Sequence, residues 1–376
     1  MQNSIQLSKK LGGKIEIISK IKLTKKTLPV LYTPGVAELS KAIAKDKKLS
    51  KVYTMRKNTV AVVSDGSAVL GLGNIGPEAA LPVMEGKALL FKELAGVDAI
   101  PIVLATQDIE ELIKTIKYLA PTFGGINLED ISAPRCFEIE ERLKSELDIP
   151  VFHDDQHGTA IVVLAGLINA LKVAKKDLAK IKIVISGTGA AGVAIAKLLI
   201  KAGAKHIVML DRIGIIYKER SGGLNGSKME IAKITNPENV QGNVRDALTG
   251  ADVFIGVSAP NILTEEDISK MNKKSIVFAM ANPIPEIMPE RARAGGAFIV
   301  ATGRSDFPNQ LNNVLAFPGI FRGVFDNNTK VITDNHKIKV AEAIASLIKK
   351  PTSGKIIPEA LDLRVAKIVA KVFKIK

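Results

Sequence analysis

Short apolar runs of strand length alternate with longer stretches of helical period along most of this chain. Residues 59–64 (Thr-Val-Ala-Val-Val-Ser), four of them β-branched, read as a strand. A glycine-rich turn at 71–76 follows, then a helical pattern over 77–94 that opens with Pro77, a residue suited to the first helical position. The pattern continues with a strand at 99–104, an amphipathic helix over 108–119 and a strand ending at 127–130. A helix over 138–147 leads to a short strand at 150–152, which runs into His153-Asp154-Asp155. Before residue 50 the chain reads as basic helix, interrupted at Thr33-Pro34-Gly35. This alternation predicts an α/β fold with a largely parallel sheet.

After Gly158-Thr159 an apolar helix extends to about residue 173, and the alternation restarts. Strands are expected at 181–186, 206–210, 253–257, 275–279 and 297–301, with a helix over 191–202. The last stretch, 337–376, is helical with a break at 350–354. The restart places a soft domain boundary near 155–165. The expected units are an α/β domain over 1–158 and a Rossmann-type domain with C-terminal helices over 159–376.

Composition narrows the function classes. With 47% hydrophobic and 24% charged residues the chain is globular rather than disordered. Cys136 is the only cysteine, which excludes a disulfide scaffold and fits a reducing compartment. No uncharged apolar run reaches the roughly 20 residues of a membrane span, and residues 1–10 lack a secretory apolar stretch. A cytoplasmic protein without a membrane partner is expected. The net charge of +15 raises the question of nucleic acid. Yet only 11 of the 53 basic residues are Arg, aromatics are 4% and Trp is absent. Lysines are scattered, as at Lys41, Lys45, Lys47, Lys48 and Lys51. Solvated helix faces, or attraction of small anions, account for this better than base recognition.

Gly187-Thr188-Gly189-Ala190-Ala191-Gly192 has the GxGxxG spacing, with a β-branched strand before it and an alanine-rich helix after it. The first glycine permits a tight turn, the second a close approach to a pyrophosphate, the third close helix–strand packing. The helix N-terminus then offers amide donors to phosphate. Asp211 ends the next strand near the position of a ribose-binding carboxylate. Its charge disfavours a 2′-phosphate, so NAD is expected over NADP, while the adjacent Arg212 leaves NADP open. Gly71 to Gly76 shares the spacing, but no carboxylate closes the following strand. It reads as a backbone turn or part of a substrate pocket.

Glu129-Asp130 and Asp154-Asp155 both stand where strands end, the position of ligand sites in open α/β sheets. Neighbours on a regular strand face opposite ways, so both members of a pair reach one ion only if the strand breaks there. Taken together they make an oxygen-rich set suited to Mg²⁺ or Mn²⁺; taken singly, each pair also fits a helix cap or a solvated loop end. His153 and His157 have i, i+4 spacing but lack the helix and glutamate of a zinc-protease motif. His206 and His336 read as structural or surface residues.

These segments together resemble the malic enzymes in their short prokaryotic form. Leu31 to Glu38 (LYTPGVAE) is similar to the family's tyrosine motif, and Glu85 to Phe91 (EGKALLF) to its catalytic-lysine segment. NLEDISAPRCF from Asn127 and FHDDQHGTA from Phe152 resemble its two metal segments. Ala281-Asn282-Pro283, and Asn312-Asn313 followed by Phe317-Pro318-Gly319, resemble its asparagine motifs. The resemblance implies that Lys87 is the general base toward the malate hydroxyl and Tyr32 the acid that protonates C3. It implies Glu129, Asp130 and Asp155 as ligands of Mn²⁺ or Mg²⁺, with Asp154 beside them orienting Lys87 or the metal's water. Asn282 and Asn313 would bind the malate carboxylate and the nicotinamide side of the cofactor. Short members are typically dimers or larger, with Tyr32 able to reach a neighbour's site. The chain departs from larger members in carrying Ala68 where they have an arginine. It also reads Val324 to Thr329 where short members usually read ALDVRA. The function so implied is oxidative decarboxylation of L-malate to pyruvate and CO₂ with reduction of NAD. The alternatives are malolactic conversion to lactate, or an inactive basic binding protein.

Overall fold

The computed structural model describes residues 3–224 and 226–374. Met1 and Lys376, the ends of two segments considered above, lie outside the described residues. Two parallel sheets carry the fold. The first contains β1 (Thr59–Ser64), β2 (Asp98–Val103), β3 (Gly125–Leu128) and β4 (Val151–His153), in the order β2-β1-β3-β4. The second contains β5 (Lys182–Ser186), β6 (His206–Leu210), β7 (Val253–Gly256), β8 (Ile276–Ala279) and β9 (Ile299–Thr302), in the order β6-β5-β7-β8-β9. Every strand of both sheets pairs in parallel. Parallel strands need long crossovers and are covered on both faces, which is why these strands read as continuous apolar runs. Strand order reverses about β1 and β3 in one sheet and about β5 and β7 in the other. Such switch points open crevices at the carboxyl ends of strands.

The first helices are α1 (Ser4–Leu11), α2 (Leu28–Leu31), α3 (Val36–Lys45) and α4 (Ser50–Tyr53). None of them contains a buried residue. The basic helix expected to about residue 50 is therefore broken into three short α-helices with a fourth starting at Ser50, and residues 14–24 between the first two are irregular. They have no core to pack on, and short helices are marginal without one. α5 (Pro77–Ala95), α6 (Ile109–Leu119) and α7 (Arg135–Glu146) serve the first sheet. α8 (Thr159–Ala174) is buried along nearly its whole length and belongs to the largest core cluster, which takes in residues of both sheets. The segment Asp154–Ala174 is long and apolar enough to cross a membrane by composition, but most of it is buried inside this core.

In the second half α9 (Ala190–Lys201) follows β5 as expected, whereas α10 (Gly226–Ile234), α11 (Val244–Leu248), α12 (Glu265–Ser269) and α13 (Pro289–Ala294) were not anticipated. Most are too short to show a helical period. α14 (Phe317–Asp326), α15 (Asp334–Ser346) and α16 (Arg364–Lys371) close the chain. α14 and α16 pack on α5 of the first half, with Phe317 and Phe321 against Phe91 at 4.7 and 5.4 Å between ring centres. The C-terminal helices thus tie the two halves together rather than extending the second alone.

Candidate active site

The carboxyl ends of β1, β3 and β4 converge. After β3, the Glu129 amide donates to Val63 O at 2.9 Å, continuing the sheet by one residue. Asp130 then takes a left-handed conformation (φ 53°) that breaks the strand. Its amide donates to Asp155 Oδ2 at 2.8 Å and its carbonyl accepts from Ala68 N at 2.9 Å. β4 ends at His153 and passes directly into one π-helical turn, Asp154–Gly158. That break turns the two adjacent aspartates to different partners. Gly158 makes the turn possible, because a Cβ there would lie 1.9 Å from Asp154 Oδ1.

Lys87 enters from α5, on the face that buries Met84, Ala88 and Phe91. Its side chain is 7% exposed; its Nζ bonds the Asp154 carboxylate and lies 2.5 Å from Glu129 Oε1. The ammonium also sits 4.3 Å from the centre of the Phe317 ring. Asn313 stands beside Asp154 at Gly158 and works against the rise of its carboxyl. Asn127 Nδ2 donates to Glu129 Oε2 at 3.1 Å.

Four carboxylates around one ammonium leave an excess of buried negative charge. Burial, reinforced by Asp155, pushes Asp130 up to about 8. Burial and its acidic neighbours raise Glu129 well above the ordinary range, with Lys87 opposing. Burial raises Asp154 to about 6, again against Lys87. For Lys87, burial works downward, but Asp154, Glu129 and Asp155 outweigh it and hold the ammonium above its usual range. Oxygens of Glu129, Asp130 and Asp155 lie within 4.8 Å of one another. Asp130 Oδ2 is buried with no hydrogen-bond partner, an open acceptor that calls for an explanation. An all-oxygen set with surplus charge and an orphaned oxygen fits a hard divalent cation.

The second switch point offers a different cradle. Gly187 has φ 119°, and a Cβ there would meet Val257 O at 2.6 Å; one on Gly192 would meet Gly187 O at 2.0 Å. Around Gly189, by contrast, the space is open. α9 starts at Ala190 with no side-chain cap, so its N-terminal amides face that space. Thr188, Ala190 and Ala191 are half-buried along the turn. This geometry suits a pyrophosphate. Asp211 follows β6 directly, but its carboxylate is already held. It accepts from Arg220 at 2.9 and 2.7 Å, from Lys228 at 2.6 Å and from Ile213 N at 2.9 Å. These donors outweigh its burial and pull it well below the usual range. Arg212 is exposed. A ribose hydroxyl would therefore share Asp211 with two cations.

The two cradles meet through two asparagine loops. Asn282 is exposed just beyond β8, and a Cβ on Gly71 would lie 2.0 Å from Asn282 O. The Gly71–Gly76 turn is thus a contact between the halves, and the Leu70 backbone just before it opposes the rise of the Asp130 carboxyl. An open cleft of about 460 Å³ lies beside it, lined by Asn282, Gly303, Arg304, Gln310 and Asn312 among others. Tyr32 is 67% exposed and, among the described residues, makes no hydrogen bond to any member of the carboxylate cluster. His157 Nε2 lies 2.8 Å from Glu140 Oε2, behind the π-helical turn, and burial lowers it to about 4. His336 helps cap α15, and His206 lies 3.3 Å from surface Glu238.

Sequence reasoning placed Phe317 and Asn127 in motifs without giving either a role, and missed Arg220, Lys228 and Arg304. Arg220 and Lys228 carry no local signal. Asn127 did have one, a polar residue inside an otherwise apolar strand.

Residues 12–144 match the family described as malic enzyme, N-terminal domain, and residues 156–375 that described as malic enzyme, NAD binding domain. The chain is 57% identical to the bifunctional malic/malolactic enzyme of Bacillus subtilis, over 98% of this chain and 91% of that one. It is likewise 57% identical to the NAD-dependent malic enzyme of Geobacillus stearothermophilus, over 96% of this chain and 75% of that one. Among solved structures, the NAD-dependent malic enzyme of Thermotoga maritima superposes with a TM-score of 0.96 at 52% identity, covering 100% of this chain and 99% of that one.

Proposed function

This chain belongs to the malic enzyme family, and on that premise we propose that it oxidises L-malate and releases pyruvate and CO₂, reducing NAD and, less readily, NADP. The observation that carries the reading is Lys87, buried between Asp154 and Glu129 at the edge of a three-carboxylate oxygen site. Glu129, Asp130 and Asp155 are the proposed ligands of Mn²⁺ or Mg²⁺. A bound dication polarises the malate oxygens and answers the charge that otherwise keeps Lys87 protonated. Lys87 then accepts the hydroxyl proton, and Asp154 and Asn313 hold it in line with that oxygen. The glycine turn from Gly187 to Gly192 would hold NAD(P), whose nicotinamide would supply the acceptor for the C2 hydride. Loss of the C4 carboxylate as CO₂ leaves an enolate, and a tyrosine hydroxyl returns a proton to C3. Asn282 and Asn313 orient the substrate carboxylate and the nicotinamide.

Tyr32 is the proposed proton donor, supplied by a second copy of the chain. α1 to α4 bury none of their own residues, while Ile5, Ile17, Ile18, Leu23, Val30 and Tyr32 are each more than half exposed. Apolar surface on this scale marks an association site, and a two-fold dimer would exchange these arms symmetrically. Tyr32→Phe and Lys87→Ala should each be inactive alone. Mixed in equal amounts and allowed to exchange, they should recover about a quarter of wild-type activity, because half the dimers then hold one intact site. A mixture no more active than its parents would place Tyr32 in its own chain's site, or outside catalysis.

The inactive-binding-protein alternative is not retained, given this family membership. The malolactic alternative keeps one support, the printed name of the Bacillus subtilis relative. Incubation with L-malate, Mn²⁺ and either nucleotide, with products identified, separates the outcomes. Pyruvate with reduced nucleotide supports the proposal. Lactate without net reduction supports the malolactic one. Absence of malate turnover under any metal or nucleotide condition would sink both.

A further inference from the structure

Glu286 is fully buried, and no lysine, arginine or histidine pairs with it among the described residues. A buried carboxylate without a counter-charge persists only if backbone donors satisfy it. Its Oε1 accepts from Ser258 N at 2.8 Å and its Oε2 from Ala281 N at 3.0 Å. The Ser258 hydroxyl lies 3.5 Å from the same Oε1 and 2.9 Å from Ser186 Oγ.

Each of these partners sits at a strand end that faces the dinucleotide crevice. Ser186 closes β5 and precedes Gly187 of the phosphate turn. Ser258 follows β7, next to Val257, whose carbonyl walls Gly187. Ala281 follows β8 and precedes Asn282. One carboxylate therefore joins the ends of three adjacent strands across the switch point. The middle strand, β7, makes room for it: a Cβ on Gly256 would lie 2.3 Å from Glu286 Cδ. Burial raises the carboxyl above its ordinary range, against the two amides that hold it charged.

We propose that Glu286 is a positioning residue for the dinucleotide, setting the separation between the phosphate turn at Gly187 and the nicotinamide-side loop at Asn282. This rests on the reading that the crevice takes NAD(P). Glutamine at this position keeps the volume but turns an amide N–H₂ toward one of two backbone N–H groups, so one loop must move. Alanine at Gly256 drives the carboxylate out from beneath and should act the same way.

The test is NADH titration by fluorescence, with Mn²⁺ affinity measured on the same samples. Glu286→Gln and Gly256→Ala should each raise the NADH Kd about tenfold or more, while the Mn²⁺ Kd stays within about twofold of wild type. A generally weakened fold would move both constants together. Should both variants fail to fold, Ser258→Ala removes only the hydroxyl between Ser186 and Glu286, and should still weaken NADH binding several-fold. Folded variants with wild-type NADH affinity, or with equal losses for NADH and Mn²⁺, would overturn the role of Glu286. A wild-type protein that binds neither NADH nor NADPH would overturn the dinucleotide reading itself, and this proposal with it.

Discussion

Replacing Lys87 by alanine should lower malate turnover by about 10³–10⁴-fold while the protein stays folded. General-base groups contribute about 10²–10⁴-fold, and in the proposed reaction the neighbouring carboxylates are taken up by the metal and by holding Lys87. Lys87 is the only cation touching Asp154 and Glu129 among the described residues. The fold should tolerate the loss for a specific reason. Removing one partner of a buried ion pair ordinarily costs about 3–5 kcal/mol. Burial, however, already holds Glu129 and Asp154 above the ordinary carboxylate range. They can take up protons instead of standing charged and unpaired. Circular dichroism should therefore show native content with a modestly lower Tm, and NADH binding should persist. Turnover within tenfold of wild type would remove Lys87 from the chemistry.

Asp155→Asn should abolish metal-dependent stabilisation and reduce turnover by about 10³-fold, since Lewis-acid assistance supplies several kcal/mol and each 1.36 kcal/mol is a factor of ten. Wild-type protein should gain about 2.7 kcal/mol at Mn²⁺ concentrations of about 100 times Kd; the variant should gain little. Chelated wild-type protein carries a pH signature of opposite sign to a salt-bridged carboxylate. Asp130 is raised from 3.8 to about 8, so the folded state binds a proton that the unfolded state has released. Its contribution is neutral below the unfolded value and turns progressively destabilising as pH rises toward about 8. Denaturant midpoints in chelator should fall across that window. Saturating Mn²⁺, which compensates the charge, should flatten the profile. A metal-free protein whose stability rises from pH 4 to 8 would contradict the crowded-carboxylate account.

Much of this architecture was legible along the chain. All nine strands were expected within a few residues of their places, because parallel strands are covered on both faces and must be apolar throughout. The phosphate turn was equally legible, since glycine spacing is a backbone requirement written locally. The carboxylate pairs could be placed at strand ends by the same logic, and the condition that the strand must break at each pair is met by the left-handed Asp130 and the turn at Asp154–Gly158.

Several decisions were not local. Lys87 and Asp154 are 67 positions apart, and nothing near either one states that they meet. Asp211 looked free for a ribose, yet Arg220 from the following loop and Lys228 from α10 return to hold it. The C-terminal helices looked like an appendage of the second half, yet their phenylalanines pack on α5 and cover Lys87. By itself the sequence determined which strands and which longer helices of the sheets form, where the chain can turn tightly, and which side chains can carry charge to the strand ends, because these follow from period, backbone sterics and residue type. Tertiary structure alone decided which charges face one another and which are already satisfied, because low-dielectric contacts between distant segments set those energies and leave no period in the chain.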